Sequence, residues 1–182
     1  MNLRNSVTDA EYVALRATIR ERGTTRIWVF AIGMTTWALL VVSILALQLP
    51  PAAVLVPLLA LAASFEGVLA LHVGLERIGR YLLVFHADEW ERAAGAFGRP
   101  ARSIGADPLF VVVFLLAALL TLLPVVGTSL RIEELTGIGI AEAAFGIRVV
   151  TARIACGRQR AIDTERFSYL RASDHDTTTS RN

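Results

Sequence analysis

The chain has 182 residues, of which 54% are hydrophobic and 19% charged, with a formal net charge of +2. A mean hydropathy of +0.55 is too apolar for an ordinary water-soluble domain and suits an integral membrane protein of one domain. The small net charge, with basic residues flanking apolar runs, argues against a nucleic-acid footprint and reads as a set of topology signals.

All 18 basic residues are arginine. That bias points to a GC-rich, bacterial source and carries no mechanism. The single cysteine, Cys156, rules out an internal disulfide.

Residues 1–7 are polar. Residues 8–22 have a helical pattern, with Thr8 and Glu11 spaced as a capping box. Asp9 and Glu11 lie near its start and Arg16, Arg20 and Arg22 near its end, as the helix dipole favours. Tyr12, Leu15 and Ile19 share a face. These features predict an amphipathic helix on the cytoplasmic headgroup surface, stopped at Gly23. The alternative is a polar extension of the first span.

The first span is expected over about residues 26–49, with Trp28 at the interface. No cleavable signal peptide is evident, so this span should remain as an anchor. Residues 27–65 form a run of 39 without a charge, too long for one crossing and suited to two joined by a tight turn. Gln48, Pro50 and Pro51 mark that turn.

The second span, about residues 52–75, should be kinked by Pro57, or else begin there. Ala60, Ala63, Gly67, Ala70 and Gly74 recur at spacings of three and four, which predicts a helix-packing seam. Glu66 is the only carboxylate of the span. It lies about ten residues, roughly 15 Å, from the inner end. A lone charge at that depth costs about 2.5 to 3.5 kcal/mol, so Glu66 must be protonated, paired or set in a wet cavity.

Beyond residue 75, Glu76 and Arg80 are spaced to pair on a continuing helix. Residues 81–85 suit the membrane surface. Asp88 and Glu91 suggest a second capping box, opening a short helix over residues 88–94. Gly95, Gly98, Pro100 and Gly105 then read as a loop. Asp107 followed by Pro108 signals a helix start. The third span is expected over residues 108–130, bent by Pro124.

Residues 136–157 are mostly apolar but contain Glu142, Arg148 and Arg153. The arginines decide whether this stretch crosses. Five precede the first span, none lies in the first turn, five lie between spans two and three, Arg131 alone follows span three, and five follow residue 157. The positive-inside rule then predicts four crossings with both termini cytoplasmic. The fold class is an all-α integral membrane protein. Its domain, residues 1–171, has four antiparallel transmembrane helices and the N-terminal interfacial helix. Residues 158–171 should form a cytoplasmic helix, with Ile162, Phe167 and Leu170 near the membrane. Residues 172–182 read as a disordered tail.

Counted from the inner ends of their spans, Glu66 and Arg148 lie at matching depth, which predicts an intramembrane ion pair. Thr35 and Thr36 lie at similar depth and could donate hydrogen bonds. Arg153 is close enough to the surface to snorkel. Glu142 has no evident partner. The competing reading makes Glu66 a proton or cation site. A permanent ion pair disfavours it, because a paired carboxylate relays protons poorly.

His72 and Glu76 could offer two metal ligands but lack a third, so an ordinary interfacial histidine is expected. His86, Asp88 and Glu89 read as a solvated cluster. Cys156 at the inner edge could be acylated, though a packed thiol is the default. No phosphate-binding loop, nucleophile elbow or zinc-protease motif occurs, and no cofactor or metal is implied.

The expected role is a structural or interaction component of a bacterial cytoplasmic membrane, without catalytic activity. Its expected partners are the lipid bilayer and either a homo-oligomer or another membrane protein, with no nucleic acid. The alternative is a small transporter or channel subunit using Glu66.

Overall fold

The computed structural model describes the backbone of residues 3–85 and 108–179, and the side chains of residues 10–85 and 110–171. Four α-helices account for most of it: α1 (Leu3–Leu47), α2 (Leu55–Phe85), α3 (Pro108–Thr121) and α4 (Ile132–Thr179). No strand occurs among the described residues. Three helical stretches are long and apolar enough to cross a membrane: Ala10–Leu47, Pro51–Phe85 and Ile132–Arg171. A shorter apolar helix covers Phe110–Val125.

The contacts between helices fix their directions. Residues of α2 and α4 meet at a nearly constant offset. Phe65 meets Phe145, Glu66 meets Arg148, Arg80 meets Asp163, and Tyr81 meets Phe167. Numbers that rise together mean parallel helices. Between α1 and α2 they run oppositely: Val29 lies against Gly67, Arg26 against His72, and Glu11 against Tyr81. Those helices are antiparallel. Phe30 meets Phe110 and Trp37 meets Thr121, so α1 and α3 are parallel. The four helices therefore alternate in direction, as an up-down bundle does.

The core is a chain of phenylalanines, one step per helix. Phe30 of α1 packs edge-on against Phe110 and Phe114 of α3, with centroids 5.2 and 5.9 Å apart. Phe114 meets Phe65 of α2 at 5.2 Å, and Phe65 meets Phe145 of α4 at 6.1 Å. Edge-to-face contact suits the ring quadrupole and contributes about 0.5 to 1.5 kcal/mol per pair beyond burial. One polar tie joins α1 to α3. Trp37 Nε1 donates to Thr121 Oγ1 at 2.8 Å, and that hydroxyl donates to the Ala117 carbonyl at 3.0 Å. Outside this core, Ile32, Leu39, Val42, Leu59, Val112 and Leu119 are exposed. So wide an apolar exterior is a liability in water and ordinary in lipid.

Gln48, Pro50 and Pro51 form the first turn. Helix α1 ends at Leu47, and Gln48 takes a left-handed φ of 51°. The Leu49 N–H bonds the Ile44 carbonyl at 3.1 Å, the long bond of a Schellman cap. Pro51–Val54 then make a 3-10 turn that leads into α2.

Several expectations need correction. Gly23 stops nothing, because α1 runs unbroken from Leu3 to Leu47. Residues 8–22 are the early part of that helix, which matches the alternative of a polar extension. The capping box fails for the same reason. The helix begins upstream of Thr8, and the Glu11 carboxylate instead accepts from the Tyr81 hydroxyl at 2.9 Å. Pro57 falls in the first turn of α2. There its missing N–H removes little, and no break in α2 occurs at it.

The third span is shorter than expected. Helix α3 ends at Thr121, and Pro124 sits inside a 3-10 turn over Leu123–Val125. Gly127, at φ 83°, then reverses the chain. Residues 158–171 are helical as expected, as a continuation of α4, which runs unbroken from Ile132 to Thr179. Its first turn is capped by Glu134, whose carboxylate accepts from the Arg131 N–H at 3.1 Å. The helix expected over residues 88–94, the loop after it, the Asp107 cap and His86 lie outside the described residues.

Candidate functional site

Two ionic sites hold α2 against α4, one in each half of the shared helix face. The first lies in the N-terminal half of α2. Arg148 Nε is 2.7 Å from Glu66 Oε1, and Arg148 Nη2 donates to Glu66 Oε2 at 2.8 Å. Two parallel N–H donors on two carboxylate oxygens make a bidentate pair, the strongest form of this contact. Parallel α2 and α4 bring the two residues to one level, and both side chains remain 48% exposed. Thr35 and Thr36 are exposed on α1, with no bond to the pair among the described residues.

The seam on α2 divides between two surroundings. Gly67 and Gly74 face α1. A Cβ at Gly67 would lie 3.1 Å from Val29 Cγ1, and one at Gly74 would lie 3.0 Å from an Arg22 nitrogen. Ala60 is half-buried, while Ala63 and Ala70 are exposed on either side of Glu66. The tightest of the glycine contacts between α1 and α2 lies elsewhere, at Gly33. Any Cβ there would collide with the Ser64 side chain. The signal available for it was modest: Gly33 is the lone glycine of its span.

The second site lies toward the Phe85 end of α2, beyond the expected spans. Arg80 is its hub. Its guanidinium donates to Glu76 Oε2 at 3.1 Å and to Asp163 Oδ2 at 2.9 Å. Gln159 donates to Asp163 Oδ1 at 2.8 Å, and Arg77 Nε lies 3.5 Å from Oδ2. Arg160 donates to the other Glu76 oxygen. The Asp163 side chain is 7% exposed and that of Arg80 11%. Burial pushes the Asp163 carboxyl up, but hydrogen bonds from Gln159 and Arg80, with the charges of Arg80 and Arg77, hold it below its ordinary value. Sequence spacing suggested Glu76 with Arg80. Asp163, Gln159 and Arg160 lie more than 70 residues from both and carried no local signal.

His72 sits between α1 and this cluster. Arg26 Nη1 lies 2.9 Å from His72 Nδ1. A guanidinium only donates, so Nδ1 accepts and the ring proton belongs on Nε2, which faces Glu76 Oε1 at 3.6 Å. No group of three potential metal ligands occurs among the described residues.

A small cavity of about 30 Å³ lies beside His72, between Arg26, Arg153 and apolar residues including Phe65 and Val149. It has room for little more than one water. Glu142 lies in the N-terminal half of α4, and its Oε1 is buried without a hydrogen-bond partner among the described residues. Cys156 is buried.

Comparison with known proteins supplies no precedent, since no family model, no curated protein and no solved structure matches this chain.

Proposed function

We propose that this chain is a structural or interaction component of a bacterial cytoplasmic membrane, without catalytic activity. It crosses the bilayer four times, with both termini cytoplasmic. The alternating helix directions and the alternation of arginine-rich and arginine-poor connections support that topology. Residues 8–22 then continue α1 into the cytoplasm beside the inner end of α2.

One observation carries the role. The two opposite charges at mid-membrane are bonded to each other, so Glu66 serves as a fastener between α2 and α4. A relay group has to exchange partners as it works, and both carboxylate oxygens of Glu66 are held by Arg148.

A flux assay separates this reading from the transporter alternative. The full chain is reconstituted in vesicles holding a pH-sensitive dye, and proton and potassium gradients are imposed. The expected result is leakage equal to empty vesicles for the parent chain, Glu66→Gln and Glu142→Gln. Flux in the parent that Glu66→Gln abolishes, with helical content retained, would establish a transport site instead.

A further inference from the structure

The Glu66–Arg148 pair is half-exposed on the outside of the bundle. Among the described residues, none covers that side. Glu66 lies about 28 Å along α2 from Phe85, where the described part of the helix ends. At mid-membrane depth the surroundings are lipid tails, which can offer the pair nothing polar. The surface around it is unusually low. Ala63 and Ala70 are exposed on either side of Glu66, and Ala144 and Ala155 are exposed on the Arg148 face of α4. Another helix can approach closely there.

We propose that this face binds a second copy of the same chain, giving a two-fold dimer with the two ion pairs stacked against each other. The proposal rests on the structural reading of Glu66 and adds the partner. Charge complementarity selects a second copy. All copies insert with one orientation, so a two-fold axis relating them must run along the membrane normal. Rotation about that axis keeps depth and reverses any direction in the membrane plane. The line from Glu66 to Arg148 runs across the bundle between parallel α2 and α4, at one depth. In the second copy it points the opposite way. Glu66 of each copy therefore faces Arg148 of the other, and four charges alternate in sign around the axis. Each guanidinium gains a second carboxylate, and both pairs leave the lipid. The alanines let the backbones come close enough for this.

Cysteine cross-linking of the full chain in vesicles tests the dimer. Cys156 is first replaced by Ala, and single cysteines are placed by Ala63→Cys, Ala70→Cys and Ala144→Cys. Val112→Cys, exposed on α3, is the control. Mild oxidation should give disulfide-linked dimers in at least one of the first three and at most a tenth as much in the control. Dimer fraction by energy transfer between labelled copies should fall with dilution into lipid. The apparent dissociation constant should rise about tenfold in Glu66→Gln/Arg148→Gln.

A chain that stays monomeric in lipid overturns the proposal, as does cross-linking equal at all four positions. So does a dimer indifferent to the double neutralisation. A monomer whose Glu66 and Arg148 remain energetically coupled would sink the dimer and leave the structural reading standing. Flux dependent on Glu66 would sink that reading itself.

Discussion

Replacing Asp163 with alanine is expected to destabilise the bundle by about 3–5 kcal/mol, the cost of breaking a buried ionic network by removing one partner. Asp163 accepts from Gln159 and Arg80 and lies within reach of Arg77. Without it, Arg80 keeps one carboxylate, Glu76, which Arg160 already shares. The Nε of Arg80 is buried and has no acceptor among the described residues, so it has little to fall back on. Arg77 is the internal comparison. Its side chain is 56% exposed, and Arg77→Ala should cost less than about 1 kcal/mol, as exposed ion pairs do. Denaturant melts of both variants in one detergent measure the difference. Equal, small losses would mean the cluster is solvated and does not hold α2 to α4.

The second large effect is expected at Gly33. A side chain there collides with Ser64 before it meets anything flexible, because Ser64 Cβ and Oγ both stand in the way. Overpacking of this kind typically costs about 1–3 kcal/mol, and Gly33→Val should reach the upper end. The collision involves two atoms of one residue, so relief is specific. Ser64→Gly should recover part of the loss in Gly33→Ala, giving a coupling of at least about 1 kcal/mol. Gly23→Ala is the contrast. Open space surrounds Gly23, and a mid-helix alanine there should be neutral or stabilising by up to about 1 kcal/mol. If Gly33→Val melts like the parent chain, α1 and α2 are not in close contact at this level.

The helical class and the first turn were readable because their signals are local. Apolar runs of membrane length and a Gln-Leu-Pro-Pro sequence need no tertiary knowledge. The levels of Glu66 and Arg148 could be counted from helix ends. Which faces the two residues share could not, because rotation about a helix axis is set by packing. Gly23 misled for a related reason. Glycine permits a stop without forcing one, and contacts such as Glu11 with Tyr81 keep the helix going. Pro124 was expected to bend a helix that instead ends at Thr121; it sits in the 3-10 turn beyond that end, with Gly127 close behind. Residues 136–157, with three charges, lie within a long apolar helix, while the charge-free stretch after Pro108 makes a shorter one. Charges inside a helix count against a crossing only while their partners are unknown. Asp163 had no signal at all, since the arginines that bind it lie on another helix.

We read Glu66 and Arg148 as fastening α2 to α4 within the bilayer. A mutant cycle in lipid tests it most directly, with folding stability measured for Glu66→Gln, Arg148→Gln, the double neutralisation and the exchange Glu66→Arg/Arg148→Glu. Each single change should cost about 2–3 kcal/mol, by leaving one charge unpaired at depth. The double neutralisation should recover at least about 1 kcal/mol, and the exchange should stand above either single variant. Additive losses, with the exchange the least stable of all, would show that the two residues do not act on each other.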